Sequence, residues 1–194
     1  MRKVCGILLI ICGILMIIGA GGLMVYNRLD SDRAGQASSK ILERLREQMD
    51  MVSDEAFYIR QDGDVFQLLE DEDGVPTMKD SIPVLPVDGK NYIGVLSIPA
   101  IDLELPVMAE WSYPNMELAP CRYTGSVGQG DLVIVAHNYR SHFARIGSLP
   151  EGTEVLFHSV SGALYRFETA SIEVLEPLQI DDMIHNEWDL TLFT

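Results

Sequence analysis

Tyr92-Ile-Gly-Val-Leu-Ser-Ile-Pro99-Ala-Ile-Asp-Leu103-Glu-Leu-Pro106-Val107 contains two short apolar runs, Tyr92 to Ile98 and Leu103 to Val107, joined by Pro-Ala-Ile-Asp. Such short runs, rich in aromatic and branched side chains and closed by turn residues, predict strands rather than helices. The texture continues downstream. Asp131 to Ala136, Glu154 to His158, Ala163 to Leu175 and Asp189 to Phe193 read as further strands, with Gly152, Ser161 and Gly162 at their connections. Short helices fit only around Tyr113 to Leu118 and Ser141 to Gly147. The pattern predicts a mainly antiparallel β-barrel or sandwich with small helical insertions.

Upstream of this domain, Val4 to Tyr26 is a run of 23 residues without a charge. At about 1.5 Å per residue it is long enough to cross a bilayer core as a helix, and it exceeds the apolar region of about 7 to 15 residues expected of a cleaved signal peptide. Arg2 and Lys3 precede it, whereas Arg28 and Arg33 beyond it are offset by Asp30 and Asp32. The positive-inside bias therefore predicts a single-pass signal anchor with a cytoplasmic tail at 1–3, a membrane span at 4–26 and the remainder outside the cell.

Next, Ser38 or Ser39 is positioned to cap a juxtamembrane helix within 27–51 that acts as a loosely packed stalk. Residues 50–81 hold ten acidic and two basic residues with Gly63, Gly74 and Pro76, so 52–90 reads as an acidic linker and 91–194 as the folded domain. Asp71, Glu72 and Asp73 lack the spacing of a calcium loop and read as solvated charge. The chain carries −15, and with only Arg2 and Lys3 charged among residues 1–26, residues 27–194 carry −17. That exterior argues against binding nucleic acid or an anionic lipid surface. Cys5 and Cys12 lie in the apolar run, leaving Cys121 alone outside it, so the fold must rest on its apolar core.

The chemistry concentrates in Asp131-Leu-Val-Ile-Val-Ala-His137-Asn-Tyr-Arg-Ser-His142-Phe143. An apolar strand delivers His137 to a polar turn, a good position for an imidazole projecting from a rigid scaffold into a cleft. His142 reads as a packed or hydrogen-bonded neighbour of Phe143, His158 as the end of a strand, and His185 as part of a polar stretch. Without a close ligand pair such as HxxxH, no metal and no cofactor is expected. Trp111 and Trp188 read as packing residues, Cys121 as a core thiol despite the adjacent Arg122, and Asp181, Asp182 and Glu187 as solvated acids.

Several of these segments together resemble the sortases, membrane-anchored cysteine transpeptidases of Gram-positive bacteria. Ile93-Gly-Val-Leu-Ser-Ile-Pro99 through Leu105-Pro106-Val107 is similar to the family's IG-x-L-x-IP and LPV, and Tyr123-Thr-Gly125-Ser126 with Gly128-Gln-Gly130 to its Y-x-GS and glycine-rich turn. Val133-Ile-Val-Ala-His137 resembles the strand bearing the catalytic histidine, with Ala136 where Gly is common. His142-Phe143, Leu149, Gly152 and Val155 follow the HF…L…GD-x-V pattern, and Leu190-Thr191-Leu192-Phe193-Thr194 resembles the TLxT that precedes the nucleophile in TLxTC. The similarity covers 91–194. It implies a closed β-barrel lacking its last strand or strands, His137 as a catalytic residue and Thr194 as a substrate-binding residue.

The activity so implied is cleavage of an LPxTG-like sorting signal and its transfer, through a Cys thioester, to a cell-wall precursor or pilin amine. Neither the Cys nor the family's arginine lies within residues 1–194, so these residues alone are predicted to be catalytically silent. The competing reading is a membrane-anchored, non-enzymatic module that binds sorting signals or wall proteins.

Overall fold

The computed structural model describes residues 2–61, 82–176, 179, 183–184 and 187–194, with the side chains of the first helix described from Ile10 to Met51. The expected features at Asp71 to Asp73, Asp181, Asp182 and His185, and most of the acidic linker, lie outside these residues.

Helix α1, Arg2–Gln61, is continuous over 60 residues, about 90 Å at the usual rise. It is long and apolar enough to cross a membrane, and none of its most apolar stretch is buried by the rest of the protein. Ile17 is 73% exposed and Met24 76%. A helix apolar on all sides and uncovered by protein matches a lipid environment, not a soluble core.

The helix then changes partner. Ala34, Leu45 and Met49 are buried, Leu45 completely, so the segment expected to be a loose stalk packs on the β-domain. Ser38 and Ser39 do not cap a helix: the Ser39 hydroxyl donates to Gly35 O one turn back at 2.9 Å, while that of Ser38 reaches across to the β-domain.

Eight strands form one sheet curled into a nearly closed barrel: β1 (Leu85–Val87), β2 (Lys90–Ile98), β3 (Leu103–Met108), β4 (Cys121–Thr124), β5 (Leu132–Val135), β6 (Glu154–Ser159), β7 (Leu164–Glu168) and β8 (Leu190–Phe193). The order is β7-β6-β2-β3-β4-β5-β8, with β1 added to β2. Most pairs are antiparallel, but β3 with β4 and β5 with β8 run parallel. A short helix, α2 (Tyr113–Met116), begins at Ser112, whose side chain accepts from Asn115 N. The helix expected at Ser141 to Gly147 is instead a run of turns ending in a single 3₁₀ turn, Ile146–Ser148.

Alternation along the strands divides the apolar residues into two clusters. Leu96, Ile98, Leu105, Val107, Leu132, Ile134 and Phe157 fill the barrel with Phe143. Tyr92, Val95, Met108, Cys121 and Val135 face outward into a second cluster completed by Leu45 and Met49 of α1. The helix is therefore part of the domain's apolar packing. At Gly94 of β2 a methyl group would stand 2.4 Å from His158 O on β6, so only glycine permits that pairing.

Candidate active site

β5 and β8 carry the site. Their parallel register pairs Leu132 with Leu190 and Val135 with Phe193, and Ala136 N donates to Phe193 O at 3.1 Å. On β5, Leu132, Ile134 and Ala136 point into the barrel and Val135 outward; on β8, Leu190 and Leu192 pack inward and Phe193 outward. The strand period of two puts His137 on the outer side, half-buried. With Ala136 N bonded to Phe193 O, the end of β8 lies alongside the stretch of chain that leads from β5 into His137. Thr194 itself is exposed at the end of β8.

The turn into β5 explains the Tyr-x-Gly-Ser segment. Gly125 has φ +70°, and a Cβ there would lie 1.9 Å from Asp131 O. Ser126 N donates to Asp131 Oδ1 at 2.8 Å, and Gln129 N donates to Ser126 Oγ at 3.3 Å. The motif is a turn that sets where β5 starts, and thus where His137 emerges.

The loop after His137 is held by α1. Ser31, Ala34, Gly35 and Ser38, spaced i, i+3, i+4 and i+7, lie on one side of the helix. They let the loop approach closely: a methyl group on Gly35 would stand 2.9 Å from Ser141 Cβ. Ser141 Oγ donates to Ser31 O at 2.8 Å, Tyr139 Oη donates to Asp30 Oδ2 at 2.8 Å, and Ser38 Oγ lies 3.1 Å from His142 Nε2. Phe143 N closes the loop by donating to His137 O at 3.3 Å.

The Tyr139 ring lies 4.7 Å from that of His137 and 5.5 Å from that of His142. Burial, followed by the hydrogen bond and charge of Asp30 and smaller effects of Glu117 and Tyr26, pushes the Tyr139 hydroxyl up to about 12. His142 is fully buried, with Nδ1 lacking a partner. Burial, with a smaller contribution from His137, pushes it down to about 4, so it stays neutral near pH 7. His142 is thus a structural imidazole, as expected, but its partner on α1 carried no sequence signal.

Cys121 is buried, and burial pushes its thiol up to about 11, outweighing the opposing effects of the Ser112 backbone and Lys90. Arg122 does not activate it: its guanidinium donates to Ala109 O at 3.0 Å and to Gly125 O at 3.2 Å. Such a thiol is a poor nucleophile. The tryptophans are partly exposed, Trp111 at 42% and Trp188 at 47%, and Trp111 packs against Tyr113 and Met116. Trp111 contacts Tyr123 at 5.6 Å between centroids, and Tyr123 contacts Phe193 at 5.4 Å. An aromatic row therefore runs outward from the end of β8. Its signal was present in the sequence as three scattered aromatic residues that only the β4–β5–β8 order brings together.

A sequence profile described as Sortase domain matches residues 96–194. Among solved structures, the chain is similar to a sortase D5 transpeptidase from Clostridium perfringens at 16% identity and TM-score 0.55, covering 81% of this chain and 88% of that one. It is also similar to sortase C from Clostridium perfringens SM101, at 21% identity and TM-score 0.42 over 52% of this chain, and to sortase A from Corynebacterium diphtheriae, at 20% identity and TM-score 0.45 over 53%. The chain spans 58% and 52%, respectively, of the length of those two. No curated protein sequence matches it.

Proposed function

This chain belongs to the sortase family, and from that premise we propose that it provides the anchored barrel and the imidazole of a transpeptidase acting on LPxTG-like sorting signals. The observation that supports the reading is the β5–β8 register, with Ala136 N on Phe193 O, which brings the end of β8 alongside the strand that leads into His137, where the proposed mechanism needs a nucleophilic sulfur. A thiolate there attacks the carbonyl carbon of the signal's Thr-Gly bond. The C–N bond breaks, and His137 in its imidazolium form protonates the departing amine, leaving a thioester. A second amine, from a cell-wall precursor or a pilin lysine, loses its proton to His137 and attacks the thioester, returning the thiolate.

Within this scheme Thr194 lines the substrate channel at the strand end, and α1 anchors the domain outside the cytoplasmic membrane through residues 4–26.

The test extends β8 by one cysteine directly after Thr194 and follows its alkylation by iodoacetamide against pH. An imidazolium neighbour lowers the thiol pKa below the ordinary value of about 8.5, and His137→Ala restores it. A cysteine at that position that titrates as a free thiol with or without His137 refutes the pairing.

A further inference from the structure

The end of the barrel that carries His137 is tied to α1 immediately beyond the apolar run. Tyr139 bonds to Asp30 and Ser141 to Ser31, four and five residues after Tyr26, or about 6 to 8 Å along the helix axis. The opposite contacts are far along the same helix: Arg44 pairs with Asp88, and Arg46 with Glu104, about 27 to 30 Å beyond Tyr26. Because α1 is unbroken between these points, it fixes which end of the barrel is proximal to the membrane.

Charge follows the same axis. The chain has 29 acidic residues, yet residues 132–150 contain none, and this stretch carries Arg140 and Arg145. Both are exposed, and among the described residues the ion pairs involve only Arg44, Arg46 and Arg166. The acids around it are Asp131 and Glu151, which flank the stretch, Asp189 beside the start of β5, Asp30, which is engaged by Tyr139, Asp32, next to Arg33 in sequence, and Glu117 near Tyr139. Residues 27–194, with a charge of −17, are repelled by an anionic leaflet over most of their surface. The acid-free loop at their membrane-proximal end is the exception.

We propose that the loop from His137 to Pro150 is apposed to the membrane, with Arg140 and Arg145 against the phosphate groups of an anionic leaflet, so that the site opens at headgroup level. The inference rests on the reading of residues 4–26 as a membrane span. It assigns α1 the role of an orienting strut and places the substrates' reacting groups within a few ångströms of the bilayer surface.

The test uses the full chain, with Cys5→Ser and Cys12→Ser, reconstituted into vesicles of phosphatidylcholine with or without phosphatidylglycerol. A spin label at Ala144→Cys is compared with one at Glu104→Cys for relaxation by nickel-chelating lipids. The expected result is severalfold stronger relaxation at position 144, enhanced by phosphatidylglycerol. Each arginine changed to Gln should reduce the occupancy of the apposed orientation about fivefold at low ionic strength. Equal relaxation at the two positions overturns the orientation; a position-144 signal indifferent to both phosphatidylglycerol and the arginines overturns the phosphate contact. Release of the chain by alkaline carbonate would instead refute the membrane span itself, so the two failures are distinguishable.

Discussion

His142→Gln should remove most of the acid sensitivity that the site loop imposes on the domain. In the folded protein His142 titrates near 4 against an ordinary value of 6.5, because burial penalises its charged form and His137 adds to the penalty. The unfolded chain therefore binds a proton that the folded one refuses, and stability must rise with pH across this window. The contribution is complete above about 6.5, falls as pH drops, and is exhausted below about 4. At about 1.4 kcal/mol per pKa unit, the wild type loses about 2 kcal/mol through this group by pH 5 and about 3 by pH 4. Gln can keep a hydrogen bond to Ser38 but cannot titrate. Urea unfolding of both chains in the same detergent, at pH 7.5 and pH 5, is the assay. With a slope of about 1 to 3 kcal/mol per molar urea, the wild-type midpoint should fall by about 1 M more than the variant's. Parallel losses in the two proteins would refute the buried, uncharged state of His142.

Leu45→Ala should cost about 2 to 5 kcal/mol, since Leu45 is fully buried against Tyr92, Val95 and Met108, whereas the exposed Met51→Ala should change stability by less than about 0.5 kcal/mol; equal unfolding midpoints would show that α1 is a free stalk. Gly125→Ala should destabilise by several kcal/mol and broaden the amide spectrum of β5, because both its φ of +70° and Asp131 O exclude a Cβ; an unperturbed spectrum would contradict the turn that starts β5.

The strands were legible where side-chain chemistry and burial coincide. Tyr92 to Ile98, Leu103 to Val107 and Glu154 to His158 became β2, β3 and β6 within a residue or two, because their apolar residues serve the barrel interior and the cluster under α1. β7 is shorter than the run from Ala163 to Leu175 suggests. Its partner β6 starts at Glu154, opposite Glu168, and after Thr169, which still bonds to Gly152 and Thr153, the chain has no ladder to join. β1 and β4 escaped detection because Leu85 to Val87 is three residues long and Cys121 to Thr124 is mostly polar; each is a strand only through its neighbours.

The placement of His137 just after an apolar strand was legible in the sequence, because Leu132 to Val135 is a continuous apolar run. The clamp from α1 was not, because its residues are small. Ser38 and Ser39 have the chemistry of a helix start, and only the loop at 139–142 shows that small side chains there serve close approach.

These two attachments divide the control of the site. The spacing between the chain leading into His137 and the end of β8 is fixed by β5 and β8, through four register pairs and the Ala136 to Phe193 hydrogen bond. The ring itself is governed from the other side: Tyr139 packs against it, Tyr139 is held by Asp30, and the turn beneath is held by Ser31 and Ser38. A change on α1 should therefore alter how the imidazole points without altering how far its strand lies from β8. Helix α1 thus has a direct physical route to the orientation of the His137 ring, even though none of its residues lies on β5 or β8.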